Sequence, residues 1–351
     1  MAKLDHFRSE AIEAGVLKRS KDDYVPCQLA YKGDSLKGKI RLKGDWVDHL
    51  SDGKWSFRVK LKDGFVDSVE TFSLQSPKSR DFLNGYVFHR LLRYHNILSP
   101  KMTFVELVVN GDSWGIYNFE EHLSDEMTIH QGRGEGVILN FQDDIFFEAV
   151  QNNDNLIGLI AKAKIKLKAN KSILKNNQKQ VEKATSIIKN YQSQTDSLYR
   201  DFNHDKMAKY YAICDLTRAY HAMGWINIRF FYDLKTELME PIGYDGYPVM
   251  DWGMPYLGHQ ALHAKTTKHK LDQVKVVYSA LYNDRLKAKY YDNLQLITNS
   301  AAINSFIKSI KADLTFYESE IQKEFRAYSY DWSFLPTNGT EIRKALNEDG
   351  F

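Results

Sequence analysis

The stretch from Trp225 to Gly246, WINIRFFYDLKTELMEPIGYDG, contains two apolar runs joined by a polar turn. Asn227 stands just before the first run, and Asp245 follows the second. A β-hairpin formed by these runs brings Asn227 and Asp245 to the same end. An amide and a carboxylate there predict a Mg²⁺ site, because this ion takes few hard oxygen ligands and keeps several waters. The alternative is a plain hairpin whose ends carry ordinary turn-forming residues.

Further short stretches accompany this hairpin in a fixed order along the chain. They are Gly38–Trp46 (GKIRLKGDW), Lys54–Leu61 (KWSFRVKL), Phe72–Pro77 (FSLQSP), Arg80, Phe104–Gly111 (FVELVVNG), Gly115–Tyr117 (GIY) and Glu120-Glu121. Through these stretches and the hairpin, the chain resembles the CotH (spore coat protein H) kinase-like family over about residues 25 to 250.

The resemblance implies an α+β, atypical protein-kinase-like fold, with a β-rich N-terminal lobe and a helical C-terminal lobe around a central cleft. It also implies an enzyme that uses ATP and Mg²⁺ and transfers the γ-phosphoryl group to Ser or Thr hydroxyls of a protein substrate. In protein kinases, a catalytic-loop Asn and the Asp of an Asp-Phe-Gly stretch hold the metal ions at the ends of a comparable hairpin. Asn227 and Asp245 are the corresponding metal ligands in this sequence.

Two segments, 39–43 and 55–61, alternate apolar with basic residues, as half-buried antiparallel strands do. Lys43, Arg58 and Lys60 lie on the polar sides of these strands. They are candidate nucleotide contacts, because a strand lysine contacts phosphate in kinases. The alternative is a solvated sheet face, where charged residues are common.

Arg80 and Glu120 are further candidate nucleotide contacts. Ser79 is predicted to cap a helix over 81–94, which places Arg80 at a helix N-terminus, where free N–H groups bind anions. Glu120 follows a predicted hairpin with the turn Asn110-Gly111, and it is expected to meet the adenine edge or an anchoring lysine. As alternatives, Arg80 is a surface arginine and Glu120 a solvated strand-end residue.

The residues before Asn227 depart from the kinase pattern. Protein kinases place a catalytic Asp five residues before the metal-binding Asn, whereas this chain has Ala222 and Met223 in that neighbourhood. His221 and Asp215 are therefore the candidate general bases. His221 is nearer in sequence, and histidine is a common general base in enzymes. Both residues also fit structural roles. The alternative function is a non-catalytic, pseudokinase-like module for surface assembly or adhesion on the same fold.

A second polar group consists of Asp251, His259, His263 and His269. His259 and His263 are four residues apart, a spacing that can share a helix face and bind a transition metal. No Glu is placed as in His-Glu-x-x-His. A metal centre here is the competing interpretation.

Changes of pattern divide the chain into five parts. Residues 1–24 are predicted to form a helix and a connector, 25–150 a β-rich nucleotide-binding lobe, 151–205 an inserted segment of amphipathic helices, 206–335 a helical lobe with the metal-binding hairpin, and 336–351 an extension.

Composition sets wider bounds. With 351 residues, of which 43% are hydrophobic, the chain can bury a sizeable core. A net charge of +3 without a dense basic block argues against a nucleic-acid partner. No apolar run reaches the ~18 residues of a membrane span, and charged residues occupy the start of the chain, where a signal peptide has its apolar core. The sequence also fits a domain of a longer exported or surface protein, so localisation is not predicted.

Overall fold

The computed structural model describes residues 1–17, 23–44, 47–50, 53–156, 158–193, 199–248, 255–259, 281 and 283–351. Within these residues, α-helices are interspersed with the strands of two antiparallel β-sheets. The fold is therefore of mixed α and β type, as the sequence predicts.

The larger sheet has two faces of different chemistry. Its strands are β1 (Val25–Tyr31), β2 (Asp34–Leu42), β3 (Phe57–Leu61), β4 (Thr71–Gln75), β5 (Met102–Val109) and β6 (Asp112–Glu121), in the order β1-β2-β3-β4-β6-β5. One face, which includes Phe57, Val59 and Phe72, packs in an apolar cluster with helix α1 (Ala2–Ala14). The opposite face carries buried polar side chains and becomes the candidate site.

The smaller sheet contains the hairpin with which the sequence analysis began. Its strands are β7 (Gly136–Phe141), β8 (Ile165–Lys168), β9 (Arg229–Asp233) and β10 (Met239–Ile242), in the order β10-β9-β7-β8. Ile242 pairs with Arg229 in the antiparallel register of β9 and β10. Asn227 and Asp245 therefore flank the same end of the hairpin, as predicted.

Helices make up most of the remaining ordered structure. They are α2 (Leu83–Tyr94), α3 (Asp125–His130), α4 (Asp144–Gln151), α5 (Lys171–Asn176), α6 (Gln178–Ser193), α7 (His204–Leu216), α8 (Asp284–Ile297), α9 (Ser300–Gln322) and α10 (Phe334–Glu348). Asparagine side chains cap α7, α8 and α9: Asn203, Asn283 and Asn299 each accept a hydrogen bond from a first-turn N–H. Across the ranges given above, we find no helix with the length and apolar character needed to cross a membrane.

The segment 165–168 is a strand, although the sequence predicts helical structure across this region. It pairs with β7 through residues Ile165 to Lys168. The four residues Ile-Lys-Leu-Lys alternate as a strand does, but so short a run does not separate a strand from the helical pattern around it. The exposed edge of β7 supplies the partner that selects the strand.

The C-terminal segment is a helix, α10, where the sequence predicts an extension. Pro336 lies in its first turn, where backbone N–H groups have no partner within the helix and a proline removes nothing. Leu335, Ile342 and Leu346 are buried in the main apolar core. Residues 334–348 therefore belong to the packed body of the fold.

The loop after β10 lies tightly against α2. A Cβ atom on Gly246 would be 2.2 Å from the ring of Phe88, and one on Gly243 would be 2.0 Å from Cδ1 of Leu92. These separations are too short for any side chain larger than hydrogen. The two glycines therefore allow the backbone on either side of Asp245 to approach the helix.

We expect Gly246→Ala to lower the free energy of unfolding by about 1–3 kcal/mol, because the added methyl must displace the Phe88 ring within a packed core. Gly134→Ala is the matched control, since a Cβ there meets no atom within 4 Å. Urea unfolding followed by circular dichroism measures both. An equal effect of the two substitutions would contradict the tight contact between this loop and α2.

Candidate functional site

A row of polar side chains crosses the buried face of the larger sheet. Arg58 on β3 pairs with Ser73 on β4, and Ser73 pairs with Glu120 on β6. Residues directly opposite one another in a sheet have side chains on the same face. All three are buried, with exposures of 8%, 0% and 1%. Three buried polar groups on one face are unusual in a sheet and indicate a site rather than a core.

Glu120 is the centre of this site. Its Oε2 accepts hydrogen bonds from Nε2 of Gln75 at 3.1 Å and from Nε of Arg80 at 3.2 Å. Its Oε1 lies 3.5 Å from Nζ of Lys43, which also donates to Oε1 of Gln75 at 2.7 Å. Two cations and an amide thus surround one buried carboxylate.

The electrostatics agree with an ionised Glu120. Burial by itself raises the pKa of a carboxyl group, but the charges of Lys43 and Arg80 outweigh it and hold the pKa of Glu120 well below its usual range. Burial acts in the opposite direction on Lys43 and lowers its pKa, while the charge of Glu120 opposes that shift. The charge of Glu120 therefore opposes the effect that burial has on the pKa values of Lys43 and Arg80.

Arg80 joins this cluster to the hairpin. Its Nη1 lies 2.9 Å from Oδ1 of Asp245, so one guanidinium contacts both Glu120 and Asp245. Burial would raise the pKa of Asp245, but the charges of Arg80 and His221 lower it. Asp245 has a positive φ of 54°, a left-handed conformation that Asp adopts more readily than most residues and that often occurs at functional sites.

The structure places Arg80 differently from the sequence prediction. Arg80 ends a short 3₁₀ turn, Pro77–Arg80, and α2 begins only at Leu83. Ser79 donates its hydroxyl hydrogen to the carbonyl of Ser76 and does not cap α2. Positive φ angles at Asp81 and Phe82 separate the turn from the helix. Arg80 is 4% exposed, so neither the helix N-terminus nor the surface-arginine interpretation is correct.

His221 lies between the two predicted metal ligands. Its Nδ1 is 3.0 Å from the carbonyl oxygen of Asp245 and 3.7 Å from Oδ2 of the same residue. Asn227 places Nδ2 3.2 Å from Nε2 of His221 and donates a hydrogen bond to its carbonyl at 3.1 Å. If Nδ1 carries the proton donated to the Asp245 carbonyl, Nε2 is the basic nitrogen. Asn227, His221 and Asp245 are therefore brought together.

Several buried polar atoms of the site lack hydrogen-bond partners in the described part of the chain. They are Nε and Nη1 of Arg58, Oγ of Ser73 and both side-chain polar atoms of Asn118. Oε1 of Glu120 and Oδ1 of Asp245 also lack hydrogen bonds, but they form the ion pairs with Lys43 and Arg80 described above. Asn118 neighbours this row, because it pairs with Gln75. Both donors and acceptors are available here to a polar ligand.

Two of the predicted residues lie outside this arrangement. Lys60 is exposed near the far end of β3, where it pairs with Thr71 and Lys39. Asp215 is fully buried on α7 and accepts hydrogen bonds from the hydroxyls of Tyr220 and Tyr290. Its three hydrogen bonds, the third from the backbone N–H of Leu257, form a closed cluster apart from His221.

Residues that the sequence analysis did not select also border the site. The charges of Arg80 and Lys43 help to lower the pKa of His49, which burial brings to about 3. Lys168 on β8 has a pKa lowered to about 8, first by burial and then by the charge of Arg58. His49 lies in the connection between β2 and β3, close to Lys43 in sequence, whereas Lys168 on β8 comes close only through long-range folding.

Comparison with known protein families identifies the family of the chain. A family model described as CotH kinase protein matches residues 40–347 of the 351-residue chain. The chain belongs to the CotH kinase family. The match extends beyond the stretches from which the resemblance was inferred and includes most of α10. No curated protein matches the sequence.

The competing histidine-rich interpretation gains no support from the described residues. His259 contacts Asp349 through Nδ1, at 2.8 Å. Asp251, His263 and His269 lie outside the described residues. Among the residues that the structure describes, no group of three or more His, Cys, Asp or Glu side chains is arranged to hold a metal ion.

We expect Asp215→Asn to lower the free energy of unfolding by about 1–3 kcal/mol, because an amide hydrogen would face three donors in a buried cluster. Burial raises the pKa of Asp215 to about 7, while its hydrogen bonds lower it part of the way. Because the pKa of Asp215 is higher in the folded than in the unfolded chain, this residue favours folding fully at a pH below its unfolded pKa near 3.8. That contribution to the free energy of unfolding is lost as the pH rises towards 7. The variant should lack this part of the pH dependence. Urea unfolding at several pH values from 4 to 8 measures the free energy of unfolding of both proteins. The same change of this free energy with pH in the variant and the unmodified protein would contradict the raised pKa of Asp215.

Proposed function

We propose that this protein is a CotH-type atypical protein kinase that transfers the γ-phosphoryl group of ATP to Ser or Thr hydroxyls of a protein. In this proposal, residues 25–150 act as the nucleotide-binding lobe, and residues 206–335 as the helical lobe with the metal-binding hairpin. The observation that carries the proposal is the row of buried, unpartnered polar atoms beside the Lys43–Glu120–Arg80 cluster. Membership of a kinase family supplies the chemistry that this row would serve.

The residues present fit a nucleotide with its metal ion. An unpartnered buried donor or acceptor costs about 1–3 kcal/mol, so these atoms favour a ligand that pairs with them. Arg58 offers two N–H groups to a phosphate. Asp245 and Asn227 would hold Mg²⁺, which neutralises charge on the phosphates when bound. Oδ1 of Asp245 is ion-paired with Nη1 of Arg80, so a metal ion would share this carboxylate with the guanidinium.

The protein's own groups have distinct tasks in this proposal. Glu120 holds Lys43 and Arg80 in fixed positions, so that they would meet the phosphates of a bound nucleotide with little reorganisation. His221 accepts the proton of the attacking hydroxyl at Nε2, and the Asp245 carbonyl fixes its ring through Nδ1. Asp215 holds α7 to the segment around Leu257 and takes no part in transfer.

One observation favours a second candidate, a non-catalytic nucleotide-binding module. Ala222 and Met223 are buried and apolar where the kinase pattern places a catalytic carboxylate. Nε2 of His221 is also engaged by Asn227. Because phosphoryl transfer depends mainly on positioning and charge neutralisation, such a site would bind Mg-ATP and transfer phosphate slowly or not at all.

The nucleotide site is tested by a pair of substitutions on one strand. Arg58→Met should weaken Mg-ATP binding by about tenfold to a hundredfold, because a charge-assisted hydrogen bond contributes about 1.5–3 kcal/mol. It should not lower stability, since it removes a buried cation whose Nε and Nη1 are unpaired. Lys60→Met is the control, two residues along β3 and exposed, and should leave the affinity unchanged. Isothermal titration calorimetry measures both, and equal effects would contradict the assignment of Arg58.

Catalysis is tested by transfer of radiolabel from [γ-³²P]ATP to a serine-rich protein such as casein. Loss of a general base lowers a rate by typically ~10²–10⁴-fold, so His221→Gln should reduce kcat to that extent. His6→Gln, at an exposed histidine on α1, is the control and should keep the full rate. Mg-ATP affinity is measured separately by calorimetry. No transfer by the unmodified protein, together with intact Mg-ATP binding, would establish the non-catalytic module instead.

A further inference from the structure

A cavity of about 340 Å³ lies between α2 and α9, formed by residues other than those of the candidate site. It is lined by Arg90, Arg93, Tyr94, Phe306, Ser309 and Ile310. Two arginines line it from one helix, and an aromatic ring and an aliphatic side chain line it from the other. Its volume is at the lower end of the range for small-molecule sites.

Arg93 is the most informative residue of this cavity. It is half-buried, and within the described ranges its guanidinium makes neither a hydrogen bond nor an ion pair. Burial lowers its pKa, and the nearby charge of Arg90 lowers it further, against a weaker opposing effect of Glu121. A half-buried guanidinium next to a second one gains most from an anion that contacts both.

Arg90 retains donors for the same anion. Only its Nη1 is engaged, by Oδ2 of Asp313 at 3.0 Å and the hydroxyl of Tyr86 at 3.2 Å. The remaining N–H groups of Arg90 have no hydrogen bond to described residues. Arg90 and Arg93 are the charged residues that line the cavity, and Asp313 and Glu121 lie near enough to offset part of their charge.

The apolar part of the cavity has a defined shape. The rings of Tyr94 and Phe306 meet edge to face, with centroids 5.4 Å apart. Tyr94 is 49% exposed, and Ile310 closes the cavity from the core side. A ligand with a small ring would pack here while its charged end met the arginines.

We propose that this cavity is a binding site for a small organic anion, a phosphate ester or carboxylate attached to one apolar ring. The site is separate from the proposed nucleotide site. The arginines recognise the charged group, and Tyr94 and Phe306 contact the ring.

Binding of phenyl phosphate, measured by isothermal titration calorimetry on the full chain, tests this proposal. Phenylacetate is titrated in the same way to test a carboxylate attached to a ring. Inorganic phosphate, which has no ring, shows how much of the affinity comes from the charge alone. Arg93→Gln should weaken binding of phenyl phosphate by about tenfold or more, since it removes a charge-assisted contact. Ser309→Leu should also weaken it, because the larger side chain fills the cavity without a change of charge. Arg326→Gln, at an exposed arginine outside the cavity, should have no effect.

The same titrations distinguish this site from the nucleotide site. Binding that survives Arg58→Met but is lost in both Arg93→Gln and Ser309→Leu supports the cavity. Binding lost in Arg58→Met and kept in the cavity variants would assign phenyl phosphate to the sheet and overturn the proposal. Absence of binding by the unmodified, folded protein would also overturn it. An affinity for inorganic phosphate equal to that for phenyl phosphate would exclude the apolar half of the proposal.

Discussion

The buried negative charge of Glu120 is the constraint on which the site depends. Its partners come from separate segments: Lys43 follows β2, Gln75 ends β4 and Arg80 ends the turn before α2. Removing one member of a buried charge pair costs about 3–5 kcal/mol, because the remaining charges lose their partner. The sheet, the turn and the hairpin therefore adopt one arrangement relative to Glu120. Through Arg80, the same charge also fixes the position of Asp245.

Local features of the fold are predictable from the sequence, and long-range ones are not. Asn110-Gly111 predicts its hairpin because both residues tolerate the positive φ that the turn requires. Asn227 and Asp245 flank a hairpin whose strands are adjacent in sequence, so their position at the same end of it is also predictable. Arg80 and Glu120 are forty positions apart in the sequence, and no periodic pattern of residues predicts their contact.

The charged residues of the larger sheet illustrate the same limit. Arg58 and Lys60 have the same spacing and the same chemistry in the sequence, yet one is buried in the site and the other is exposed. Arg58 is covered by the polar residues of the site, whereas no part of the described chain buries Lys60 at the other end of β3. Asp215 and His221 are both candidate bases in the sequence, with His221 the nearer to Asn227. Tyr220, Tyr290 and the N–H of Leu257 enclose Asp215, whereas His221 remains beside Asn227. In both pairs, the residue type allows more than one role, and the tertiary packing around each residue determines which role it has.

The tight contact of Gly243 and Gly246 with α2 has a thermodynamic consequence for Asp245. Fixing one residue's backbone costs roughly 1–2 kcal/mol of conformational entropy. Here the glycines, the positive φ and the contact with Arg80 hold Asp245 in place without any ligand. That loss of freedom occurs when the chain folds and is not repeated at each binding event. Whatever cation or donor meets this carboxylate therefore encounters an already ordered partner, and its affinity reflects contact chemistry rather than loop ordering.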